Sequence, residues 1–315
     1  MTTIKRLKCF IQDWPARWIS TVLLGLIAMG CAHSPQTQSE SLQPVETGGD
    51  AKAQYKLAGR YAHGDGVPQD YAKAVECLRR SADQGYAYAE TDLGSYYARG
   101  LSVKQDLAVA MEWYRKAASR NDPLAEYCIG YAYAHGKGVT ENMEAAIEWW
   151  TKSAKHGQVE AQDALGQFYF HGEHSGDTNH INYAASAKWL LEAAQQGYLN
   201  AMNNLAFLYQ NGMGVKKDLP KAFKWYDEAA QKGDAMAQAN LGLMYEEGAV
   251  GPSDLVQAYK WFTLSAEQGN VAGRRSYYDY NEHHRLDPEQ LAEAHRLVEE
   301  YHAKMQSNQL VPASR

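Results

Sequence analysis

The sequence predicts an all-α fold, an α/α solenoid (superhelix) of six helix-turn-helix repeats with a C-terminal capping helix. Two observations lead to this prediction. A small set of positions recurs at a fixed interval, and the apolar residues between them follow helical spacing. The residues that close the repeats are 36 apart by subtraction, with one interval of 40, and are Gly85, Asn121, Gly157, Gly197, Gly233 and Gly269.

Three further columns stay in phase with these closing residues. The first helix of each repeat carries an aliphatic column, Leu57, Leu93, Ile129, Leu165, Leu205 and Leu241. Four residues later comes a tyrosine column, Tyr61, Tyr97, Tyr133, Tyr169, Tyr209 and Tyr245. The expected anchor of the second helix is Cys77, Trp113, Trp149, Trp189, Trp225 and Trp261. The agreement of all four columns indicates six repeats.

The fifth repeat shows why each unit is a pair of helices. Ala201, Leu205 and Tyr209 lie four residues apart, which places them on one face of a helix. Gly212 ends that helix, and the side-chain oxygen of Asp218 caps the next one. The equivalent caps are Asp70, Asp106, Asn142, Asn182, Asp218 and Asp254. We interpret these side chains as structural, not catalytic.

One such pair cannot bury its apolar face alone, whereas stacked pairs build a continuous core and an extended surface for binding. We therefore expect one extended array over residues 51–269. Its repeats are 51–85, 86–121, 122–157, 158–197, 198–233 and 234–269. Residues 270–305 are predicted to form capping helices, with Asp287 as a cap and Pro288 at the first helical position, and 306–315 a flexible tail.

The repeated pattern AxAxxxLGxxYxxGxGVxxDxxKAxxWYxxAAxxG resembles that of the Sel-one-like repeat (SLR) family, a relative of the tetratricopeptide repeats. The resemblance extends over residues 51–270, and many positions match in phase in all six units. It implies an α/α superhelix that acts as an adaptor or scaffold for other proteins. It does not identify the partner.

The N-terminus is typical of an exported protein. A basic segment precedes an apolar run from Trp18 to Met29, which is too short to span a membrane but suits the core of a signal peptide. The following Gly30-Cys31 completes a segment that resembles a bacterial lipobox. We therefore expect residues 1–30 to be a signal peptide and Cys31 to be lipidated.

A lipid on Cys31 would attach the array to a membrane, and the polar residues 31–50 would form a flexible tether. Ala32 after the cysteine resembles the enterobacterial sorting signal for the outer membrane. The expected location is the bacterial cell envelope, on the periplasmic face of the outer membrane. A secreted or soluble periplasmic protein and an uncleaved membrane anchor are the alternatives.

Composition bears on the class of partner. The 31 lysines and arginines are outnumbered by 37 acidic residues, which gives a net charge of −6. Nucleic-acid binding requires a basic excess, so nucleic acid is not an expected partner. Cys77 and Cys128 fall within the repeats without a disulfide pattern, and we interpret Cys77 as a buried thiol that replaces a tryptophan.

Resemblance to tetratricopeptide arrays implies that the first helices line the concave side of the array. Positions two before and two or five after the repeated leucine would point inward, and we expect a protein or peptide partner there. The candidates at or beside these positions are Tyr55, Tyr88, Tyr127, Tyr131, Asp163, Phe170, Asn200, Asn203, Phe207 and Gln210. Aromatic residues facing water are typical binding anchors, but rings that pack between repeats would give the same pattern.

The fourth repeat carries four extra residues before its cap, within the polar segment GEHSGDTNH. Weak metal-ligand candidates in and beside this segment are His171, His174 and His180. A histidine before the loop glycine also recurs as His63 and His135, and the spacing matches no closed metal site. We predict no metal site and no cofactor.

The sequence contains no nucleophile paired with a base, no paired catalytic acids and no phosphate loop. We therefore predict a non-enzymatic scaffold or adaptor that assembles or regulates an envelope complex. A surface-exposed binder of host or foreign proteins is the alternative. Cysteine-rich members of the SLR family are linked to β-lactam binding or hydrolysis. This chain lacks their paired cysteines, so that activity is the least favoured interpretation.

Overall fold

A computed structural model describes residues 49–172 and 181–310. The expected signal peptide, Cys31 and most of the tether lie outside the described residues, as do His174 and His180. Within the described ranges the chain forms fourteen α-helices and no strand. They are α1 (Ala51–His63), α2 (Tyr71–Asp83), α3 (Ala87–Arg99), α4 (Leu107–Ala118), α5 (Pro123–Ala134), α6 (Met143–Lys155), α7 (Val159–His171), α8 (Tyr183–Gln195), α9 (Leu199–Asn211), α10 (Leu219–Gln231), α11 (Ala235–Glu246), α12 (Leu255–Glu267), α13 (Val271–Glu282) and α14 (Pro288–Leu310).

Each of the first twelve helices packs against the next one along the chain, so that α1 to α12 form six hairpins. The described residues up to Glu300 belong to one compact unit, and the chain from Tyr301 belongs to a second. The predicted all-α repeat fold is confirmed. None of the described helices has the length and apolar character needed to cross a membrane.

Each second helix begins at the aspartate or asparagine that the sequence predicted as its cap. Asp70 Oδ1, for example, accepts hydrogen bonds from the backbone N–H groups of Ala72 and Lys73, both at 3.0 Å. The backbone N–H of each cap donates to the carbonyl of the tyrosine column, at 2.8 to 3.0 Å in all six repeats. The caps therefore define how each hairpin turns.

Two positions where the glycine pattern fails keep the glycine conformation. Asn121 closes the second repeat with φ 60°, and Ser102 replaces a loop glycine with φ 52°. Asparagine tolerates the left-handed region better than most residues, whereas serine is strained there. The repeat geometry therefore imposes this backbone conformation even where the residue does not favour it.

The core corrects the predicted anchor of the second helices. Cys77 and Trp261 are buried, but the other four tryptophans of that column are partly exposed. The column that is buried in every repeat is the following residue, Leu78, Tyr114, Trp150, Leu190, Tyr226 and Phe262. The reason is a close approach between the helices. A Cβ at Gly130, just after the repeated leucine position, would lie 2.5 Å from Trp150 Cδ1.

A column of buried polar side chains lies three residues before the repeated leucine. Its members are Gln54, Glu90, Glu126, Gln162 and Gln238. In four repeats a partner comes from the end of the second helix of the same hairpin. In the fourth repeat Gln196 Nε2 donates to Gln162 Oε1 at 2.7 Å. Arg120 Nε lies 3.3 Å from Glu90 Oε2, Lys152 Nζ lies 2.8 Å from Glu126 Oε1, and Gln268 Nε2 donates to Gln238 Oε1 at 2.8 Å. These contacts join the two helices of a hairpin, and each supplies a buried polar side chain with an opposite charge or a hydrogen bond.

The last two helices close the array. Asp287 Oδ1 accepts from the backbone N–H groups of Glu289 and Gln290, so α14 begins where the sequence predicted. Ala294 of α14 is buried in the cluster formed by Tyr259 and Tyr280. The helix continues to Leu310, five residues beyond the predicted end at residue 305, because no proline or glycine interrupts it before Pro312.

Candidate interaction surface

The ten candidate residues lie on the first helices α1, α3, α5, α7 and α9. Tyr88 is the most exposed, at 56%. Asp163 and Asn203 are 4% and 5% exposed, and the other seven candidates are partly exposed. The first helices therefore combine partly exposed aromatic rings with two buried polar side chains.

Tyrosines of the first two repeats form a cluster. The ring centroid of Tyr55 lies 5.2 Å from that of Tyr86 and 6.4 Å from that of Tyr88. The hydroxyl of Tyr55 donates to the Asp92 carboxylate, which favours the ionised form. Burial outweighs this hydrogen bond and raises the pKa of Asp92 to about 6, with a further contribution from the charge of Asp122. This end of the surface offers tyrosine rings beside a carboxylate.

A second cluster joins the third, fourth and fifth repeats and consists of Tyr127, Glu160, Asp163 and Tyr198, whose ionisable groups interact with one another. We call these four residues the acidic cluster. Gln167 Nε2 donates to Asp163 Oδ2 at 2.5 Å, whereas Asp163 Oδ1 accepts no hydrogen bond from the described residues. Burial raises the pKa of Asp163 to about 7, and the charge of Glu160 adds to this effect.

Aromatic contacts continue into the fifth repeat. The ring centroid of Phe170 lies 5.8 Å from that of Phe207 and 5.8 Å from that of Tyr183. Gln210 Oε1 accepts a hydrogen bond from the hydroxyl of Tyr226 at 3.1 Å. Both alternatives from the sequence apply here, because these rings pack against the neighbouring repeat and still keep part of their surface exposed.

The other candidates have separate surroundings. Asn203 Oδ1 accepts from Asn240 Nδ2 at 2.9 Å, and Asn203 Nδ2 lies 3.3 Å from the Met236 sulfur. Tyr131 stacks on His135 of the same repeat, with ring centroids 4.1 Å apart. Asn200 is partly exposed on α9. Unlike Asp163, Asn203 is neutral and has partners at both ends of its amide.

Four residues of the two clusters were not among the candidates predicted from the sequence: Tyr86, Asp92, Glu160 and Tyr198. A signal for the two tyrosines was present. The corresponding position before three other first helices holds an aspartate, such as Asp122, whose side chain caps the helix. Tyr86 and Tyr198 form no side-chain cap, and neither does Gln158. A tyrosine in place of a stabilising cap indicates another use of that position.

The described residues offer little for catalysis or metal binding. None of them forms a group of three or more histidine, cysteine or acidic side chains placed to hold a metal ion. His171 ends α7 with its ring 4.7 Å from that of Phe170. Burial raises the pKa of Cys128 to about 12, so its thiol stays protonated and unreactive at neutral pH.

Comparison with known proteins agrees with this architecture. The family model described as Sel1 repeat matches residues 51–86, 87–122, 123–158, 159–198, 199–234 and 235–270. None of the curated proteins compared with the chain matches it.

Two solved structures are similar over most of the chain. The protein c5321, described as a protective antigen of uropathogenic Escherichia coli with an SLR fold, is 33% identical with a TM-score of 0.68. The match covers 79% of this chain and 54% of c5321, so the chain spans about half of that relative. A Sel1 repeat protein from Oxalobacter formigenes is 30% identical over 70% of this chain and 88% of its own, with a TM-score of 0.63.

Sel1 repeat proteins are in general scaffolds for protein interaction, and their all-helical fold is typically non-catalytic. The six matches extend over nearly all of the described array, and the sequence resemblance to the SLR family is confirmed. This chain belongs to the Sel1 repeat family.

Proposed function

We propose that this protein is a non-enzymatic scaffold, attached to the bacterial envelope through a lipid on Cys31, that assembles or regulates an envelope complex. Its protein or peptide partner binds the concave face lined by the first helices. The observation that supports this proposal is the set of aromatic side chains that the repeat core does not fully bury. Tyr88 is exposed, and Tyr55, Tyr127 and Phe207 remain partly exposed.

These rings suit a binding surface for a physical reason. An aromatic ring supplies a large contact area and loses little side-chain entropy when it is fixed. The rings of Tyr55, Tyr86 and Tyr88 already contact one another, as do those of Phe170 and Phe207, so they are partly ordered before a partner arrives. An extended peptide or a partner helix would gain affinity from such a preorganised surface.

Site-specific photo-crosslinking in cells tests the position of the interface. A photoreactive phenylalanine analogue replaces Tyr88 or Phe207 in the full chain, and the control carries it in place of the exposed Glu148 on the second helix α6. We expect discrete crosslinked proteins from the first-helix positions and none of these from the control. The same products from Glu148, or no product from either first-helix position, would contradict a first-helix interface.

The double variant Tyr127→Ala and Tyr131→Ala sharpens this test. Both tyrosines are partly exposed on α5, and their loss removes contact area from the middle of the proposed interface. We expect the crosslinked partner from Tyr88 to decrease at least about fivefold. Circular dichroism checks that the variant stays helical. An unchanged yield from a folded variant would exclude these two tyrosines from the interface.

Metabolic labelling with a clickable fatty acid tests the attachment. Cys31→Ala should lose the label, whereas Cys9→Ala, which changes a cysteine within the expected signal peptide, should keep it. Label that persists in Cys31→Ala would exclude this cysteine as the lipid site. An unlabelled parent chain would favour a soluble periplasmic or secreted scaffold.

A surface-exposed binder of host or foreign proteins is the second candidate. The similar protein c5321 is described as a protective antigen, which favours a location that antibodies reach. Antibody staining of intact and permeabilised cells distinguishes the two candidates, because a periplasmic scaffold stains only after permeabilisation. Measurable turnover of a β-lactam by the purified protein would overturn the non-enzymatic proposal for both.

A further inference from the structure

The buried polar side chains three residues before the repeated leucine form what we call the polar column. Its two carboxylates have cationic partners. Glu90 pairs with Arg120. Glu126 is fully buried and lies 2.8 Å from Lys152 Nζ and 2.8 Å from His156 Nδ1. Taking a charge out of water is costly unless an opposite charge or several hydrogen bonds compensate for it. The polar column follows this rule.

Asp163 is a buried carboxylate without such compensation. Its carboxylate is 4% exposed, and Gln167 is the one described donor, at Oδ2. Oδ1 lacks a hydrogen-bond partner among the described residues. The charged group that interacts with Asp163 is Glu160, which is itself 7% exposed and carries the same sign. Glu160 accepts a hydrogen bond from Gln158, a neutral amide. Two like charges thus lie close together without a described cation.

The neighbouring repeat shows that the fold does not require this arrangement. Asn203 occupies the position equivalent to Asp163, two residues before the repeated leucine, and is buried to the same degree. Its amide bonds to Asn240 and to the Met236 sulfur. An amide of the same shape therefore satisfies the core at this position. The carboxylate at Asp163 carries a cost that packing alone does not explain.

We propose that the acidic cluster binds a basic side chain, arginine or lysine, that the partner protein supplies to Asp163. This inference rests on the proposed scaffold function and names the chemistry of its partner. An N–H group of this side chain donates to Asp163 Oδ1, and its charge compensates both Asp163 and Glu160.

The surroundings of the cluster agree with a cation as its ligand. The ionisable groups that interact with the Tyr127 hydroxyl are those of Cys128, Tyr198, Glu160 and Asp163. Each of these groups is either neutral or negatively charged, and none can carry a positive charge. The Tyr198 hydroxyl interacts with the same two carboxylates. A carboxylate of a partner would be repelled here, whereas a guanidinium or ammonium group would find an acceptor at Asp163 Oδ1.

Binding of three small probes to the full chain tests this inference. Nα-acetyl-argininamide and Nα-acetyl-lysinamide each carry one positive charge, and Nα-acetyl-citrullinamide has the shape of the arginine probe without the charge. Dissociation constants are measured by NMR titration at pH 7.5 and low salt. We expect the better cationic probe to bind about tenfold more tightly than the citrulline probe, because charged hydrogen bonds contribute at this level.

Variants assign this discrimination to the cluster. Asp163→Asn should reduce the ratio of cationic to citrulline affinity to about one, and Asp163→Glu should keep part of it. Glu148→Gln removes the same charge from an exposed position on α6 and should leave the ratio unchanged. Circular dichroism and the melting temperature establish that each variant folds. An Asp163→Asn chain that fails to fold would show that the carboxylate is structural and would overturn the inference.

Two further results of the probe titrations would decide against the inference. Equal affinity for the arginine and citrulline probes, or discrimination that survives in Asp163→Asn, would overturn the inference. The crosslinking experiment separates this failure from that of the scaffold proposal. Crosslinks at Tyr88 that persist in Asp163→Asn would retain the scaffold and exclude the acidic cluster. Loss of discrete crosslinks at every first-helix position would remove the scaffold interface itself.

Discussion

The first-helix surface of repeats one to four differs in chemistry from that of repeats five and six, although the hairpins are built alike. The first helices of the earlier repeats carry Tyr55, Tyr88 and Tyr127, which keep exposed surface, together with the carboxylate Asp92 and the buried carboxylate Asp163. The later ones hold a neutral network of Asn203, Asn204 and Asn240. The difference teaches that the buried leucines, glycines and caps maintain the array, while the positions beside the leucine are available for recognition.

The largest expected effect concerns the scaffold that both regions share. Gly130→Ala would place a methyl group 2.5 Å from Trp150 Cδ1, where α5 closely approaches α6. We expect the free energy of unfolding to fall by about 3 kcal/mol, because an overpacked core must shift. Thermal or denaturant unfolding measures the change.

A matched control for this glycine exists in the same helical array. Gly59→Ala lies within α1 where no atom is within 4 Å of the added Cβ, and it should raise the stability by up to about 1 kcal/mol through helix propensity. Equal effects of the two substitutions would contradict the close approach of the helices at Gly130.

The second prediction concerns a variant that carries, in the fifth repeat, the buried carboxylate found at Asp163 in the fourth. Asn203→Asp places a carboxylate at a 5% exposed position whose partners are Asn240 Nδ2 and the Met236 sulfur. We expect a loss of about 2 kcal/mol at pH 8, because a buried charge without a cation is unfavourable. Denaturant unfolding at pH 5 and pH 8 should show the larger loss at pH 8. A neutral effect at both values would contradict the role of charge.

The third prediction concerns the pH dependence that Asp163 contributes. Burial and the nearby charge of Glu160 raise its pKa to about 7 in the folded protein, above the unfolded value near 3.8. The folded state therefore binds the proton more tightly, so stability falls as the pH rises from about 4 to about 7. Tyr127 and Tyr198 also face this group and stay protonated in that range, because burial raises the pKa of both.

Asp163→Asn removes this contribution. We expect the variant to be more stable than the parent by about 1 kcal/mol at pH 7.5 and equal to it near pH 4. Asp92 titrates in both proteins, so the difference between their unfolding free energies isolates Asp163. A variant that is less stable than the parent at pH 7.5 would mean that the ionised carboxylate stabilises the fold.

The hairpins and their caps could be predicted because many local signals agree at each position. Gly212 and Asp218, for instance, end one helix and begin the next through their own backbone and side-chain preferences. The choice between Trp149 and Trp150 as the buried anchor could not be predicted in this way. Neighbouring residues on a helix point about 100° apart, and the angle between the two helices decides which one faces inward.

The acidic cluster was harder still to predict. The sequence indicated Tyr127 and Asp163 as separate positions two residues before the leucine, but their proximity to Glu160 and Tyr198 depends on how three successive repeats stack. Nor does the sequence show that Asp163 Oδ1 lacks a hydrogen-bond donor among the described residues, while Glu126 lies beside both Lys152 and His156. Contacts between repeats are non-local, so they follow from the fold and not from the spacing within one unit.

The hydrogen bond between the second-helix cap and the tyrosine carbonyl has a consequence for protein engineering. Asn182 donates to Tyr169 at 2.9 Å across the lengthened fourth loop, as Asp218 donates to Tyr209 at 2.9 Å across a shorter one. The hairpin closes in the same way whatever the length of chain between the two residues. An epitope tag or fluorescent reporter placed in this loop would therefore leave the array intact and allow the protein to be followed in living cells.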